Sequence, residues 1–235
     1  KNKYSHRSKI SQTKFRQLMR LFALDLEATQ IAELTGLNRN TVNRYLRGDM
    51  AEATREMARS LKTITLSPMN VSDVELIACG AISPLHGFMG QADYQSVVND
   101  MHLTNGLPWT IPVTLAVDEE TARGIQIGQS VALAEPAADG STHTLGVLEV
   151  SEKYSYEKTV EAEKVYKTAE DKHPGVARLY KQGDVLLAGD IWLFDQPLAA
   201  MTEFPEFRHT PSQTRRMFAR MGWRRIVAFQ TRNPI

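Results

Sequence analysis

Residues 225–235 read Arg225-Ile226-Val227-Ala228-Phe229-Gln230-Thr231-Arg232-Asn233-Pro234-Ile235, an apolar run followed at once by polar side chains. An apolar run bounded by polar residues is typical of a buried strand. In parallel sheets, ligands gather beyond the carboxyl ends of such strands. A guanidinium flanked by amide and hydroxyl groups suits sulfate or phosphate, because its fork matches two oxygens at once. The segment therefore indicates an anion site at Gln230–Asn233, with an ordinary strand and turn as the alternative.

Charge is unevenly distributed along the 235 residues, although the net charge is only +1. Residues 1–60 hold 12 Lys and Arg against 6 Asp and Glu, whereas residues 61–235 hold 16 against 21. Parts of opposite sign indicate different partners, and the basic part suits nucleic acid. No apolar run reaches the length of about 18 residues that a membrane span needs. We therefore expect a cytoplasmic protein without membrane contact.

Two residues of types that often carry chemistry are predicted to be structural. Cys79, the single cysteine, lies in the apolar run Leu76–Gly80 and is expected to be a buried small side chain. His86 lies in a turn without a second histidine or a carboxylate at ligand spacing, so we expect a surface loop residue. No metal site in the protein is predicted.

The first 48 residues predict a helix-turn-helix. Apolar residues recur at helical spacing over residues 12–24, and a second helix is expected over Ala28–Thr35, with Ile31, Ala32 and Leu34 inward. Gly36 supplies the left-handed position that a sharp turn between helices needs. Asn38 caps a third helix, Arg39–Arg47. This recognition helix would present polar side chains to the major groove of DNA. The predicted DNA-binding residues are Asn38, Arg39, Asn40, Thr41, Asn43 and Arg44.

Residues 29–46, TQIAELTGLNRNTVNRYL, resemble the N-terminal helix-turn-helix of insertion-sequence transposases. The resemblance implies DNA as a partner of residues 1–48. A small helical hairpin that serves only packing is the alternative.

From residue 61 onward the pattern changes to short strands and helices, after a helical joint at residues 49–60. Several short strands at this spacing suggest a compact β-barrel. The predicted strands and apolar segments are Leu61–Leu66, Leu107–Val117, Ser130–Glu135, His143–Val150, Val185–Phe194 and Arg225–Phe229. Ser72 or Asp73 is expected to begin the first helix of this part. The predicted helices are Val74–Cys79, Gln91–Met101, Glu157–Thr168, Gly175–Lys181 and Ser212–Met221.

The same part of the chain resembles ATP sulfurylase (sulfate adenylyltransferase) in a series of motifs that occur in the same order over residues 51–235. The motifs are Ser72–Ile77, Ile82–Met89, Leu107–Leu115, Val165–Thr168, His173–Val176 and Gln230–Pro234. The resemblance implies a PUA-like β-barrel with helices at 61–200 and the start of a truncated Rossmann-like nucleotidyltransferase domain at 201–235. The expected fold class is mixed α/β.

The resemblance also implies a reaction. Family members make adenosine 5′-phosphosulfate and pyrophosphate from ATP and sulfate, with Mg²⁺. By this resemblance Gln230 and Arg232 hold sulfate, while Thr231, Arg232 and Asn233 serve the transition state, where positioning and charge stabilisation dominate. The sequence is compatible with a homo-oligomer.

Two departures from the family pattern bear on activity. The family's Gly-Gly-Leu-Val-Asn-like N-terminal segment is replaced by the helix-turn-helix, and the sequence stops before the histidines that follow the Gln230–Pro234 motif. We therefore expect residues 1–235 alone to be inactive and Arg225–Phe229 to lack its neighbours. A DNA-binding protein is the second hypothesis. A PUA-like RNA-binding module is the third, and the acidic balance of residues 61–235 argues against it.

Overall fold

The long antiparallel pairing of strands β5 and β6 forms the centre of the molecule. The computed structural model describes residues 50–228, residues 28–37, and Lys14, Gln17 and Leu18. The sheet has six strands in the order β1-β4-β5-β6-β2, and β3 also pairs with β6. Among the pairings of these described strands, β1–β4 is parallel and the others are antiparallel. The strands are β1 (Thr63–Thr65), β2 (Gly87–Phe88), β3 (Leu115–Val117), β4 (Ser130–Pro136), β5 (Thr142–Ser155) and β6 (Val185–Leu193).

Helices cover the sheet and join its strands, so the fold is mixed α/β as predicted. They are α1 (Ala28–Thr35), α2 (Met50–Ala58), α3 (Pro68–Ala78), α4 (Gln91–Asp100), α5 (Glu119–Arg123), α6 (Lys158–Glu161), α7 (Pro174–Lys181), α8 (Leu198–Thr202) and α9 (Pro211–Arg220), with a π-helix at Ala162–Tyr166 and a 3₁₀-helix at Pro205–Phe207. Among the described residues, no helix is both long and apolar enough to cross a membrane.

Strand β4 shows why the sheet is covered on both faces. Successive side chains of a strand point to opposite faces. Val131 and Leu133 belong to the main apolar core, while Ala132 packs with Ala58 of α2 and Val147 of β5. The continuous apolar run of β4 is therefore the pattern of a strand buried on two sides.

Helix α3 begins earlier than the sequence indicates. Ser67 is its N-cap, where the Ser67 hydroxyl accepts a hydrogen bond from the Asn70 N–H, and Pro68 takes the first helical position. The prediction that Ser72 or Asp73 begins this helix is wrong, because serine followed by proline is the stronger start signal. At the other end, Cys79 is half-buried rather than buried, since it occupies the C-cap of the helix.

The predicted strand Leu107–Val117 forms only at its end, as β3. Pro108 and Pro112 lack the N–H groups that a strand ladder requires. The loop before β3 has its own hydrogen bonds, including one from Trp109 Nε1 to the Ile111 carbonyl at 3.0 Å. His86 is exposed in a loop, as expected.

The helix predicted over Glu157–Thr168 is divided into α6 and the π-helix, and it ends at Lys167, whose φ is +60°. Strand β5 in turn continues five residues beyond its predicted end at Val150. Its pairing with β6 shifts register between Val150 and Glu152, and such a bulge interrupts the alternation by which strands are recognised.

Part of the N-terminal prediction lies within the described residues. Helix α1 has the predicted bounds, and Gly36 follows it with φ +66°. Ile31 is fully buried as expected, but Leu34 is 58% exposed, so its inward placement is wrong; Thr35 is buried instead. The third predicted helix, Arg39–Arg47, lies outside the described residues.

Candidate functional site

Neither set of predicted site residues lies in the part of the chain that the structure describes. Gln230, Thr231, Arg232 and Asn233 follow the last described residue, at position 228. The predicted DNA-binding residues Asn38, Arg39, Asn40, Thr41, Asn43 and Arg44 lie between two described ranges. The assignments to both sets stay predictions. The described residues that lead toward the first set are the basis for a candidate site.

These residues belong to the cationic segment, which we define as residues 207–235. It contains seven arginines and no aspartate or glutamate, whereas residues 61–206 contain 9 Lys and Arg against 21 Asp and Glu. Its described arginines are Arg208, Arg215, Arg216, Arg220, Arg224 and Arg225. A one-sign cluster raises the local concentration of ligands of opposite charge. The segment is therefore suited to anions although the rest of the fold is acidic.

Helix α9 lies in the described part of the cationic segment. Thr210 and Gln213 form a capping box: the Thr210 hydroxyl accepts from the Gln213 N–H, and the Gln213 side-chain carbonyl accepts from the Thr210 N–H at 2.8 Å. Pro211 at the first helical position has the φ that a helix start needs. Gly222, with φ +68°, ends the helix and turns the chain. The predicted helix Ser212–Met221 is thus confirmed within one residue at each end.

A groove of about 480 Å³ lies along α9 and the residue before its cap. Two arginines, a histidine and an amide line it together with two thioethers. The lining residues are His209, Gln213, Arg216, Met217, Arg220 and Met221. Such a groove combines cationic hydrogen-bond donors with an apolar surface.

Arg208 connects the cationic segment to helix α3, which belongs to the part of the chain that forms and covers the sheet (the sheet domain). Its Nη1 lies 3.3 Å from Glu75 Oε1 on α3, and its Nε donates to the Glu203 carbonyl at 3.2 Å. Both side chains of the ion pair are more than one third exposed, so the pair contributes little stability.

Apolar side chains are unusually exposed in the same region. Phe204 is 73% exposed, Phe207 75%, Trp223 53% and Val227 94%. Residues 225–228 form no strand, so the predicted strand Arg225–Phe229 is wrong over its described part. A strand at residues 225–228 would need a neighbouring strand to pair with and an apolar core to pack against. The described residues provide neither, as expected.

A buried cluster of one glutamate and three tyrosines is the feature that sequence reasoning missed. Glu161 is 6% exposed, and its Oε2 accepts a hydrogen bond from the Tyr94 hydroxyl at 2.7 Å. The Tyr94 ring lies 5.8 Å from that of Tyr154 and 5.9 Å from that of Tyr156. The hydroxyls of Tyr154 and Tyr156 donate to the carbonyls of Met89 and Gly183. Every tyrosine hydroxyl of the cluster has a protein partner, so the cluster is structural. Tyr94 and Glu161 are 67 positions apart, and no spacing rule joins them.

Burial raises the pKa of Glu161, although the bond from Tyr94 opposes the shift. The folded protein therefore holds this proton more tightly than the unfolded chain does. The free energy of unfolding should fall as pH rises from below the ordinary glutamate range through the raised pKa. We predict that Glu161→Gln weakens this loss, because glutamine keeps an oxygen acceptor for Tyr94 without a buried charge.

Urea unfolding between about pH 4 and pH 8 measures this effect. Glu163→Gln is the matched control, because Glu163 is exposed and two positions away, and it should keep the wild-type pH dependence. An unchanged slope in Glu161→Gln would show that Glu161 does not cause it.

Asp73 is a second carboxylate with an altered environment. Burial raises its pKa to about 6, and a hydrogen bond from Asn70 partly opposes the shift. The same Asn70 amide donates to the Thr114 carbonyl at 2.9 Å, so it joins α3 to the loop before β3. The described residues contain no cluster of three or more His, Cys, Asp or Glu side chains that could hold a metal ion.

Comparison with protein families assigns most of the chain. Residues 34–196 match the PUA-like domain, more than half of the sequence. The chain belongs to the PUA-like domain family. Residues 205–235, which follow this PUA-like domain, match the ATP-sulfurylase family. The two matches confirm the resemblance inferred from the motifs.

Several curated relatives of this chain are named sulfate adenylyltransferase. The protein of Symbiobacterium thermophilum is 47% identical over 208 residues, which are 88% of this chain and 50% of that protein. The protein of Acaryochloris marina is 51% identical over 176 residues, or 75% of this chain and 44% of its own length. The chain thus spans about half the length of the curated relatives it matches.

A solved structure shares the fold. The hexameric APS kinase from Thiobacillus denitrificans superimposes with a TM-score of 0.57 and 28% identity over 79% of this chain and 31% of its own.

The relatives also bear on the N-terminal region. A match over 88% of the chain extends well into the first 48 residues, because residues 49–235 make up only four fifths of the sequence. The PUA-like match likewise begins at residue 34. The resemblance to transposases and the DNA-binding alternative gain no support from these matches.

Proposed function

We propose that this chain supplies the PUA-like domain and the first part of the catalytic domain of a sulfate adenylyltransferase. The observation that carries the proposal is the ATP-sulfurylase match over residues 205–235, which includes the complete motif Gln230–Pro234. The identity of 47–51% to sulfate adenylyltransferases supports the same assignment for the sheet domain. Residues 201–235 would begin a Rossmann-like domain, and their exposed apolar side chains would enter its core.

In the proposed reaction a sulfate oxygen attacks the α-phosphorus of ATP. A bond forms between this sulfate oxygen and the α-phosphorus. The bond between the α-phosphorus and the oxygen that bridges it to the β-phosphorus breaks, and pyrophosphate leaves. Gln230 and Arg232 would orient sulfate, while Thr231, Arg232 and Asn233 would donate hydrogen bonds to the developing negative charge. The other arginines of the cationic segment favour the approach of two anionic substrates.

Mg²⁺ would enter with the triphosphate of ATP and neutralise part of its charge. We assign it no protein ligand, because the described residues offer no cluster of metal-binding side chains. A homo-oligomer in the cytoplasm is compatible with the proposed role.

A chimera tests the proposal. The part of the S. thermophilum relative that matches this chain is replaced by the 208 residues of this chain that align with it. The chimera then has the full length of the relative. We expect sulfate-dependent release of pyrophosphate from ATP, and none from residues 1–235 alone, whose segment 201–228 is largely exposed. A folded chimera that releases no pyrophosphate, beside an active parent, would refute the proposal.

A further inference from the structure

The chain leaves the sheet domain at the end of β6, where side chains from other elements hold its backbone. Arg55 Nη2 on α2 donates to the Phe194 carbonyl at 3.1 Å, and the Arg55 guanidinium lies 5.3 Å from the centre of the Phe194 ring. His143 Nε2 on β5 lies 3.0 Å from the Gln196 carbonyl oxygen. A carbonyl oxygen only accepts, so this Nε2 carries the hydrogen and donates it.

A buried carboxylate holds the next turn of the chain. Glu135 on β4 is 9% exposed, and its Oε1 accepts from the Leu198 N–H, the first of α8, at 2.7 Å. A hydrogen bond to a charged acceptor is short and strong, and a buried acceptor that loses its donor pays its desolvation cost. The sheet domain therefore fixes the backbone as far as residue 198.

The residues after α8 begins are held much less. Residues 201–210 are all exposed, and the hydrogen bonds of residues 201–206 are made within residues 197–208. A segment with few buried contacts has low local stability. Phe204 in this segment has φ +51° and ψ +52°, a left-handed conformation that is strained for a bulky side chain. Hinge motions are absorbed by a few loop residues of this kind.

Arg208 brings the chain back to the sheet domain through its ion pair with Glu75 on α3. The two side chains are 38% and 34% exposed, so the pair is weak and is screened by salt. The strain at Phe204 opposes the conformation in which this pair forms. Two small free energies of opposite sign therefore leave the attached and detached arrangements close to each other in free energy.

We propose that residues 201–206 form a hinge and that the Arg208–Glu75 ion pair is the latch that closes it. With the latch closed, Arg208 holds the start of the cationic segment at α3. With the latch open, the cationic segment moves away while residue 198 stays in place. The consequence for the anion site rests on the proposed function: the hinge would set the position of Gln230–Asn233 relative to the PUA-like domain.

Pulsed electron paramagnetic resonance on residues 1–235 tests the hinge by the distance between two spin labels. The labels are attached at Glu120→Cys on α5 and Ala219→Cys on α9, both exposed, in a Cys79→Ala background. The otherwise unchanged chain should show one distance for the latched state and a second for the released state, and high salt should favour the second. Glu75→Gln should raise the ratio of released to latched molecules about threefold, the effect of one exposed ion pair.

Glu56→Gln is the matched control, because it removes an exposed ion pair, with Arg59 at 2.6 Å, that does not span the hinge. It should leave the ratio unchanged. Phe204→Asn should act in the direction opposite to Glu75→Gln, because asparagine tolerates the left-handed conformation and Phe204 is 73% exposed.

A single distance that neither salt nor Glu75→Gln changes would overturn the proposal, and so would an equal response to Glu56→Gln and Glu75→Gln. The measurement uses neither ATP nor sulfate. Failure of the hinge is therefore distinguishable from failure of the catalytic proposal, which the chimera tests.

Discussion

Replacing Gly87 with alanine is expected to lower the free energy of unfolding by about 3 kcal/mol, since both overpacking and lost strand pairing contribute. Gly87 lies in β2, opposite Asp190 of β6. A Cβ at this position would lie 1.8 Å from the Gly189 carbonyl oxygen and 2.9 Å from the Asp190 Cα. These are backbone atoms of the central strand, so no side chain can rotate away. The β2–β6 pairing would open and expose Phe88, which is 3% exposed.

Gly106→Ala is the matched control for this substitution. Gly106 has φ +87°, but no atom lies within 4 Å of a Cβ built there. Its cost is therefore backbone strain alone, about 1 kcal/mol. Urea unfolding of the two variants and the wild type measures the difference. If Gly87→Ala is no less stable than Gly106→Ala, the close approach of β2 to β6 is not as described.

In the chimera with the S. thermophilum relative, Arg232→Ala is expected to reduce kcat/KM for sulfate about 1,000-fold, the size of effect that follows loss of a donor to transition-state charge. Arg232→Lys should restore only part of the loss. Lysine keeps the charge but not the planar fork that matches two oxygens.

Arg123→Gln serves as the control for this pair. Arg123 is exposed on α5, where its Nε donates to the Glu119 carbonyl at 3.3 Å. It should leave the kinetics unchanged. Lysine at position 232 with full activity would mean that Arg232 supplies charge only, and alanine with full activity would remove it from the site.

The fold was predictable from the sequence where a local pattern indicates only one kind of secondary structure. The apolar runs of β4 and β6 lie within one residue of their predicted bounds, and so do the helices α4 and α9. The prediction of a strand over the whole of Leu107–Val117 was wrong, because its prolines cannot donate to a strand ladder despite the apolar composition. The strand prediction for residues 225–228 was wrong for a different reason, since a strand needs a pairing partner and no described residue provides one.

The site was predictable only as a motif. Gln230–Asn233 is readable from the sequence because its residues are consecutive, and family resemblance gives them roles. The partnership of Tyr94 with Glu161 has no sequence signal, because tertiary folding alone brings α4 to α6. The groove on α9 lies between these cases. The helical spacing of its arginine and methionine side chains is visible in the sequence, but their exposure is not.

The most direct test of the assignment is the identity of the nucleotide that the chimera forms from ATP and sulfate, determined by mass spectrometry. If this chain is part of a sulfate adenylyltransferase, the chimera should form adenosine 5′-phosphosulfate together with pyrophosphate. Both products should disappear in Arg232→Ala. ADP or AMP without any sulfate-containing nucleotide would contradict the account.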